Sequence, residues 1–334
     1  MRMTLDEIAR MAGVSKATVS RVINNKSEGV GPETRKRVSA ILAQINYDTA
    51  ISISDRTGIR SHTIGLILPD ITNPFFSELA REISSSAMEY GYAVILGNTG
   101  FSAEAEGKFI TAMIAKKIDG MILVSSILQS TEAHKMLEKY HVPVLLLDRD
   151  VDGMKKNAMV LADNRRASYL CSELLIRNGS SKIAYITGSA TTSTAAERLE
   201  GYKSALKHYQ IPYSDNLIQQ GDYTLESGYN ALLNLERAGI KYSAILSAND
   251  LMALGAMKAL SELGKKIPEE IEIIGYDNIV YGQYTDPPLT TVQQPTTEMG
   301  RKSVDLIIRA IEETLKSVEC IRLQPRLLRR KTTR

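Results

Sequence analysis

Cysteine, histidine and phenylalanine are scarce in this 334-residue chain, at two, four and four copies. Cys171 and Cys320 stand far apart, with no CxxC pair and no Cys/His cluster. That usage argues against a metal site or a disulfide framework and reads as reduced structural thiols in a cytoplasmic protein. No uncharged apolar run approaches the ~18 residues that a membrane span requires. The opening stretch MRMTLDEIARMAGVS carries charge where an export signal needs an apolar core. G-x-S-x-G, G-x-x-x-x-G-K-[ST] and G-x-G-x-x-G are all missing, and Gly107-Lys108 lacks the partners of a phosphate loop. His62, His134, His141 and His208 are scattered over linker and helix surfaces with no carboxylate at a catalytic spacing. The sequence therefore offers no catalytic residues and implies no cofactor.

What charge there is lies unevenly. Residues 1–60 hold ten basic side chains against six acidic ones, a surplus of four, whereas the whole chain carries only +3. A basic head on a near-neutral body suits a module that meets phosphate, although a solvated helical surface has the same composition.

Within the head, Thr4 with Glu7 forms a capping box before an apolar stripe of Leu5, Ile8, Ala9 and Met11-Ala12. Gly13 ends that helix, and Ser15 caps a second from Lys16 to Ile23. Small or apolar Ala9, Gly13, Val14 and Val19 let two helices cross at a tight turn. Pro32 and Glu33 open a third helix, with Val38, Ile41, Leu42 and Ile45 on its buried face. The segment TLDEIARMAGVSKATVSRVINN, followed by VGPETRKRV and INY, resembles the headpiece of the LacI/GalR family of repressors without a gap over nearly all of residues 3–47. That resemblance implies a dimer on a near-palindromic operator. It puts Lys16, Ala17 and Arg21 against base edges in the major groove, with Arg21 able to bind guanine bidentately. Ser15, Thr18, Ser20 and Asn24 then face phosphates, and Thr4 joins the same surface.

Residues 48–62, DTAISISDRTGIRSH, read as a polar linker. In the family this hinge is a short helix whose leucine wedges into the minor groove; here Arg56 stands in the leucine's place, and Thr49 and Ala50 replace the usual proline and asparagine. Three readings stay open: Arg56 enters a narrow groove by electrostatics, Ile53 acts as the wedge, or the segment contributes little.

From residue 63 strand-length apolar runs alternate with amphipathic helices, and the order then repeats. Such alternation predicts two doubly wound, parallel-sheet lobes with a cleft between them. The boundaries expected are a first lobe of about 63–161 plus 292–322 and a second of about 162–291. The pattern is similar to the periplasmic sugar-binding fold that serves as this family's effector domain. Ligands of such sheets sit at the carboxyl ends of strands. Asn73-Pro74-Phe75-Phe76 follows the first strand, expected as a loop, and puts half of the chain's phenylalanines there. Rings suit the C–H faces of a sugar, and fixed polar groups suit its hydroxyls. By resemblance to the periplasmic ribose receptor and to ribose repressors, the effector set is Asn73, Phe75, Phe76, Asp148, Arg149, Arg198, Asn249, Asp277 and Gln294. Tyr223 stands where the relatives have phenylalanine, and Asp250 is expected to cap its helix. The effector implied is a small sugar, ribose or a related pentose. Two other readings stand beside it: a regulator controlled by a phosphorylated carrier protein, as in some relatives, and an α/β enzyme. The tail LLRRKTTR carries no leucine heptad, so a dimer is expected and not a tetramer.

Overall fold

The computed structural model describes residues 5–23, 29–44 and 60–334, and the chain divides into two units between Ser61 and His62. Thr4, Asn24, Ile45, Ile53 and Arg56, and with them the three hinge readings, lie outside the described residues.

In the first unit, α1 (Leu5–Ala12), α2 (Lys16–Ile23) and α3 (Pro32–Gln44) pack around Ile8, Ala9, Ala12, Val19, Val22, Val38 and Leu42. The α1–α2 turn is closed by Gly13 at φ +61 and by the Val14 amide donating to the Ala9 carbonyl at 3.0 Å. Met11, expected in the buried stripe, is instead 49% exposed: it sits one position off the face that Ile8 and Ala12 define.

The second unit has two lobes. In the first, β1 (Thr63–Leu68), β2 (Ala93–Asn98), β3 (Gly120–Leu123), β4 (Val144–Leu147), β5 (Ala158–Ala162) and β11 (Glu319–Leu323) form a sheet in the order β11-β5-β4-β3-β1-β2. Every pairing in it is parallel. Its helices are α4 (Pro74–Glu89), α5 (Ala103–Ala115), α6 (Glu132–Lys139) and α11 (Thr296–Ile311). In the second lobe β6 (Ile183–Thr187), β7 (Ile218–Gln220), β8 (Ala244–Ser247) and β9 (Glu272–Ile274) follow the order β7-β6-β8-β9, again all parallel. It is covered by α7 (Asn164–Arg177), α8 (Ser193–His208), α9 (Leu225–Arg237) and α10 (Asp250–Glu262). Strands buried on both faces explain the nearly uninterrupted apolar runs. Both sheets place the second strand outside the first and continue the third on the other side, the topological switch of doubly wound folds. Among the described residues no helix is long and apolar enough to cross a membrane.

Polar caps fix where each helix begins. Asn73, Ser102, Asp163, Thr192, Thr224 and Asn249 each accept a backbone N–H of the helix they precede. These short connections bring helix N-termini to the carboxyl ends of the strands.

The lobe boundaries differ from those expected in the terminal segments. β10 (Thr291–Gln293) pairs antiparallel with β12 (Arg326–Leu328), and Val292 belongs to the second lobe's core, so the crossing to the first lobe starts after Gln293. Only β11 returns to the first sheet. The last residues go back to the second lobe, where the Ile273 amide donates to the Thr332 carbonyl at 3.0 Å and Arg334 meets buried Glu272 at 3.3 Å. Runs of three residues carry too little periodicity to declare which sheet they join; pairing decides.

One histidine also departs from the surface position expected. His134 is 3% exposed, and its Nε2 lies 2.9 Å from Glu106 Oε1. Glu106 further accepts from Ser125 Oγ at 3.0 Å and from the Ser126 amide at 3.2 Å, while His134 Nδ1 accepts from the Thr131 amide at 3.1 Å. Because Nδ1 accepts, Nε2 carries the proton, and the carboxylate has three donors. The 28-residue separation across two helices hid this pair from sequence spacing.

Candidate functional site

Between the lobes lies a small cavity lined by Asn73, Phe75, Phe76, Asp148, Arg149, Thr194, Arg198, Tyr223 and Asp277. Eight of these nine are residues singled out from the sequence; Thr194 was not. All sit just beyond the carboxyl ends of β1, β4, β6, β7 or β9. The lobes close tightly on it, leaving a volume of about 10 Å³, room for one water-sized molecule.

Phe75 and Phe76 occupy the first turn of α4 and not a loop. Asn73 caps that helix through an Oδ1 to Phe75 N bond of 3.1 Å, and Pro74 takes the first helical position. Both rings are buried in the first lobe's core, edge to face at 5.0 Å, and line the cavity as well.

Asp148, Tyr223 and Asp277 adopt positive φ values of 64°, 73° and 108°. L-residues reach that region only at a cost, and such strain gathers where a side chain must be aimed. At Asp148 the Arg149 amide donates back to the Leu147 carbonyl at 2.7 Å, so the strand ends in a three-residue turn that sends both charged side chains into the cleft.

Four charges converge there. Arg149 Nε stands 3.5 Å from Asp148 Oδ2, and Arg149 Nη1 donates to the Ser125 carbonyl at 3.3 Å, the carbonyl of the loop that Glu106 holds. Its guanidinium is surrounded by the rings of Phe76, Phe101 and Tyr223 at 5.7–5.8 Å. Arg198 Nε donates to Asn164 Oδ1 at 2.9 Å, and its guanidinium lies 3.7 Å over the Tyr276 ring. Burial pushes the Asp148 and Asp277 carboxyls up, Asp277 well above the usual range, with the arginines opposing that shift. For Arg198 burial lowers the pKa, and Tyr276, Asp277, Tyr223 and Asp148 more than offset it. Asp148 Oδ1, Arg149 Nε and both polar atoms of the Gln294 amide are buried without a normal hydrogen bond. Gln294 is outside the lining, yet it lies near enough to Asp277 to lower that carboxyl's pKa. Orphaned polar atoms this numerous in one place are costly unless a ligand meets them.

Asn249, expected against the effector, takes the capping role expected of Asp250. Asn249, with extended φ −150° and ψ 170°, is the cap of α10, accepting from Met252 N at 2.9 Å. Its Nδ2 donates to the Tyr223 carbonyl at 2.9 Å, so it supports the cavity from outside the lining. Asp250 is fully buried and accepts from Thr291 Oγ1 at 2.6 Å and Ile279 N at 2.8 Å. Sequence reasoning also missed Asn164, Phe101 and Gly188. A Cβ on Gly188 would stand 2.0 Å from the Tyr223 hydroxyl, so only glycine leaves room for that ring. Phenylalanine scarcity could have flagged Phe101; nothing local marks the other two.

In the helical unit, Lys16, Ala17 and Arg21 are all exposed on α2 opposite buried Val19 and Val22. Thr18 and Ser20 are partly exposed beside them, and Ser15 caps the helix by accepting from Thr18 N at 3.1 Å. Lys16 pairs with Asp6 at 2.7 Å. Both partners are half exposed, so phosphate or a base edge can compete for that lysine.

A helix-turn-helix unit joined to two lobes that close on a charged, ring-lined cavity is the design of a ligand-responsive DNA-binding regulator. Two family descriptions match: "Bacterial regulatory proteins, lacI family" over residues 4–50, and "Periplasmic binding proteins and sugar binding domain of LacI family" over residues 61–331. The chain belongs to the LacI family and is a DNA-binding transcriptional repressor, not an enzyme. A ribose operon repressor of Halalkalibacterium halodurans is 34% identical, covering 99% of this chain and 97% of its own length. A PurR repressor of Vibrio atlanticus is 32% identical, over 99% and 98%. Among solved structures, a LacI family regulator from Enterococcus faecium with bound ribose is 33% identical with a TM-score of 0.72, over 81% and 98%. The lac repressor dimer bound to operator and the anti-inducer ONPF is 29% identical with a TM-score of 0.73, over 100% and 99%.

Proposed function

We propose that a small sugar, ribose or a closely related pentose, binds between the two lobes and sets how tightly the operator is held. The lining carries this reading: two arginines and two aspartates beside Phe75 and Phe76, with Asp148 Oδ1 and Arg149 Nε making no normal hydrogen bond. Carboxylate and guanidinium pairs suit vicinal hydroxyls, and ring faces suit a sugar's C–H surface. Ribose is named for two of the relatives above, which supports the pentose over a purine. Asn73, Asp148, Arg149, Arg198 and Asp277 supply the polar contacts, with the Gln294 amide beside Asp277 as a further one, Phe75, Phe76 and Tyr223 supply the apolar ones, and Asn249 holds the Tyr223 carbonyl in place.

The working unit in this reading is a homodimer. β2 is an edge strand with Ile95 and Leu96 39% and 41% exposed, and Met88 on α4 is 76% exposed; in the second lobe Val280, Tyr281 and Tyr284 are exposed too. A second copy of the chain would cover that edge and those side chains, and two-fold pairing suits a palindromic operator.

Operator binding measured by fluorescence anisotropy at fixed salt, with pentoses, hexoses and nucleosides added in turn, tests the effector. Ribose or a related pentose is expected to shift operator affinity at least tenfold; a response to nucleosides alone, or to none of these, overturns the sugar assignment. On the DNA side, Arg21→Ala is expected to cost about 1–3 kcal/mol on operator and much less on random duplex. Equal losses on both would mean that Arg21 touches only the backbone.

A further inference from the structure

The β2–α5 loop belongs to the first lobe, yet the ring of Phe101 at its tip packs against the core of the second lobe. There it stacks on Tyr223 with centroids 6.0 Å apart and planes 9° from parallel. The same ring lies 5.8 Å from the Arg149 guanidinium, which Tyr223 approaches from its own lobe at 5.7 Å. Tyr223 is fixed in turn by its hydroxyl's bond to Thr192 Oγ1 at 3.0 Å. Phe101 sits at φ +61 directly after Gly100 at φ +58. A bulky side chain in the left-handed region is held there against its own preference, so surrounding contacts must over-determine it. Of the described contacts of that ring, Tyr223 and the second lobe's core come from across the cleft and Arg149 from its own lobe.

We propose that Phe101 is a positioning residue for the effector site: it latches the lobes together by stacking on Tyr223 and holds Arg149 at the working angle before any sugar arrives. Phe101 itself is not among the residues lining the cavity. Its effect is to raise the share of protein already closed, and apparent affinity rises in proportion to that share. An offset ring pair shifts an equilibrium by about two- to twelvefold. The inference rests on the cleft being the effector site, but its primary test needs no ligand.

Full-length protein carrying Cys320→Ser, with spin labels at Lys116→Cys in the first lobe and Lys241→Cys in the second, reports lobe separation by pulsed dipolar spectroscopy. Without sugar, the parent is expected to show a dominant short distance. Phe101→Ala and Phe101→Leu are each expected to enlarge the long-distance population, and Phe101→Tyr, which keeps the ring, to restore it. Leucine fills similar space without a π face, so it separates stacking from simple packing should the alanine variant fold poorly. Ribose titration is the second readout: a two- to twelvefold weaker apparent Kd in the alanine or leucine variant, with the same distance at saturation. An unchanged ligand-free distribution in Phe101→Leu, or failure of tyrosine to rescue, overturns the latch. Were ribose to bind none of the proteins, the effector assignment would fail while the ligand-free distances still judged Phe101.

Discussion

Asp148→Ala and Arg149→Ala are each expected to abolish the response to sugar while leaving operator affinity in its absence within about twofold. Each removes one member of a buried charged pair, 3.5 Å apart, in which Asp148 Oδ1 and Arg149 Nε make no normal hydrogen bond. A hydrogen bond to a charged group contributes ~1.5–3 kcal/mol, so losing one should weaken sugar binding about 10- to 150-fold, and these side chains offer several. The helix-turn-helix unit has its own core of Ile8, Val19, Val38 and their neighbours, untouched by either change. Calorimetric titration with ribose, paired with operator binding at one salt concentration, provides the check. Normal release by the same sugar in both variants would remove the cavity from the mechanism. So would loss of operator binding in sugar-free protein with an unaltered melting temperature.

The size of the response follows from a two-state balance. Swinging a population from 1:99 to 99:1 takes differential affinity of about 5.5 kcal/mol. Two to four charge-assisted bonds made only when both lobes grip the sugar reach that scale. A ligand equally content with open and closed lobes would shift nothing, however tightly held. Hence the importance of a lining drawn from both lobes: Asn73, Phe75, Phe76, Asp148 and Arg149 from one, and Thr194, Arg198, Tyr223 and Asp277 from the other.

Stability of the second lobe is expected to fall as pH rises from about 4 to about 7 on account of Asp250, and Asp250→Asn should remove that fall. Burial pushes this carboxyl from 3.8 up to about 7, with the bonds from Thr291 and Ile279 pulling it down. Over that window the folded chain keeps a proton that the unfolded chain has released. The contribution is complete below about pH 4 and lost as pH climbs through 7. Three units correspond to at most ~4 kcal/mol. Asparagine imitates the protonated acid: Oδ1 accepts from Ile279 N, and the Thr291 hydroxyl turns to accept from Nδ2. Urea unfolding at pH 5 and pH 8 compares the two proteins, and parallel pH profiles would refute the assignment. Asp277, raised well above its usual range in part by the Asp250 charge, adds a slope of the same sign that asparagine at position 250 also lessens.

Much of this was readable from residue order. The capping groups, the 3.6-residue stripes of α1 to α3 and the apolar strands of both lobes are local signals, set by propensity and burial over a few neighbours. Two elements escaped. β5 is five residues long and stands beyond a polar connection, and α11 follows a proline where the chain has just changed lobes. Their identity depends on what they pack against. Eight of the nine lining residues were named by looking beyond the strand ends for polar and aromatic groups and by their resemblance to the set of the ribose receptor and ribose repressors.

Sequence alone thus determined a helix-turn-helix head and a duplicated strand–helix body, both consequences of short-range pattern, and a resemblance to known sugar receptors marked the groups beyond its strand ends. Tertiary structure decided which of those groups meet: Asp277 faces Arg198 across 79 residues of chain, Phe101 crosses the cleft to Tyr223, and Glu106 finds His134 inside the first lobe. It also gave the cap to Asn249 and buried Asp250. The reason is physical: propensity acts along the chain, whereas desolvation, ring stacking and charge pairing act through space, and only the folded lobes bring those partners within range.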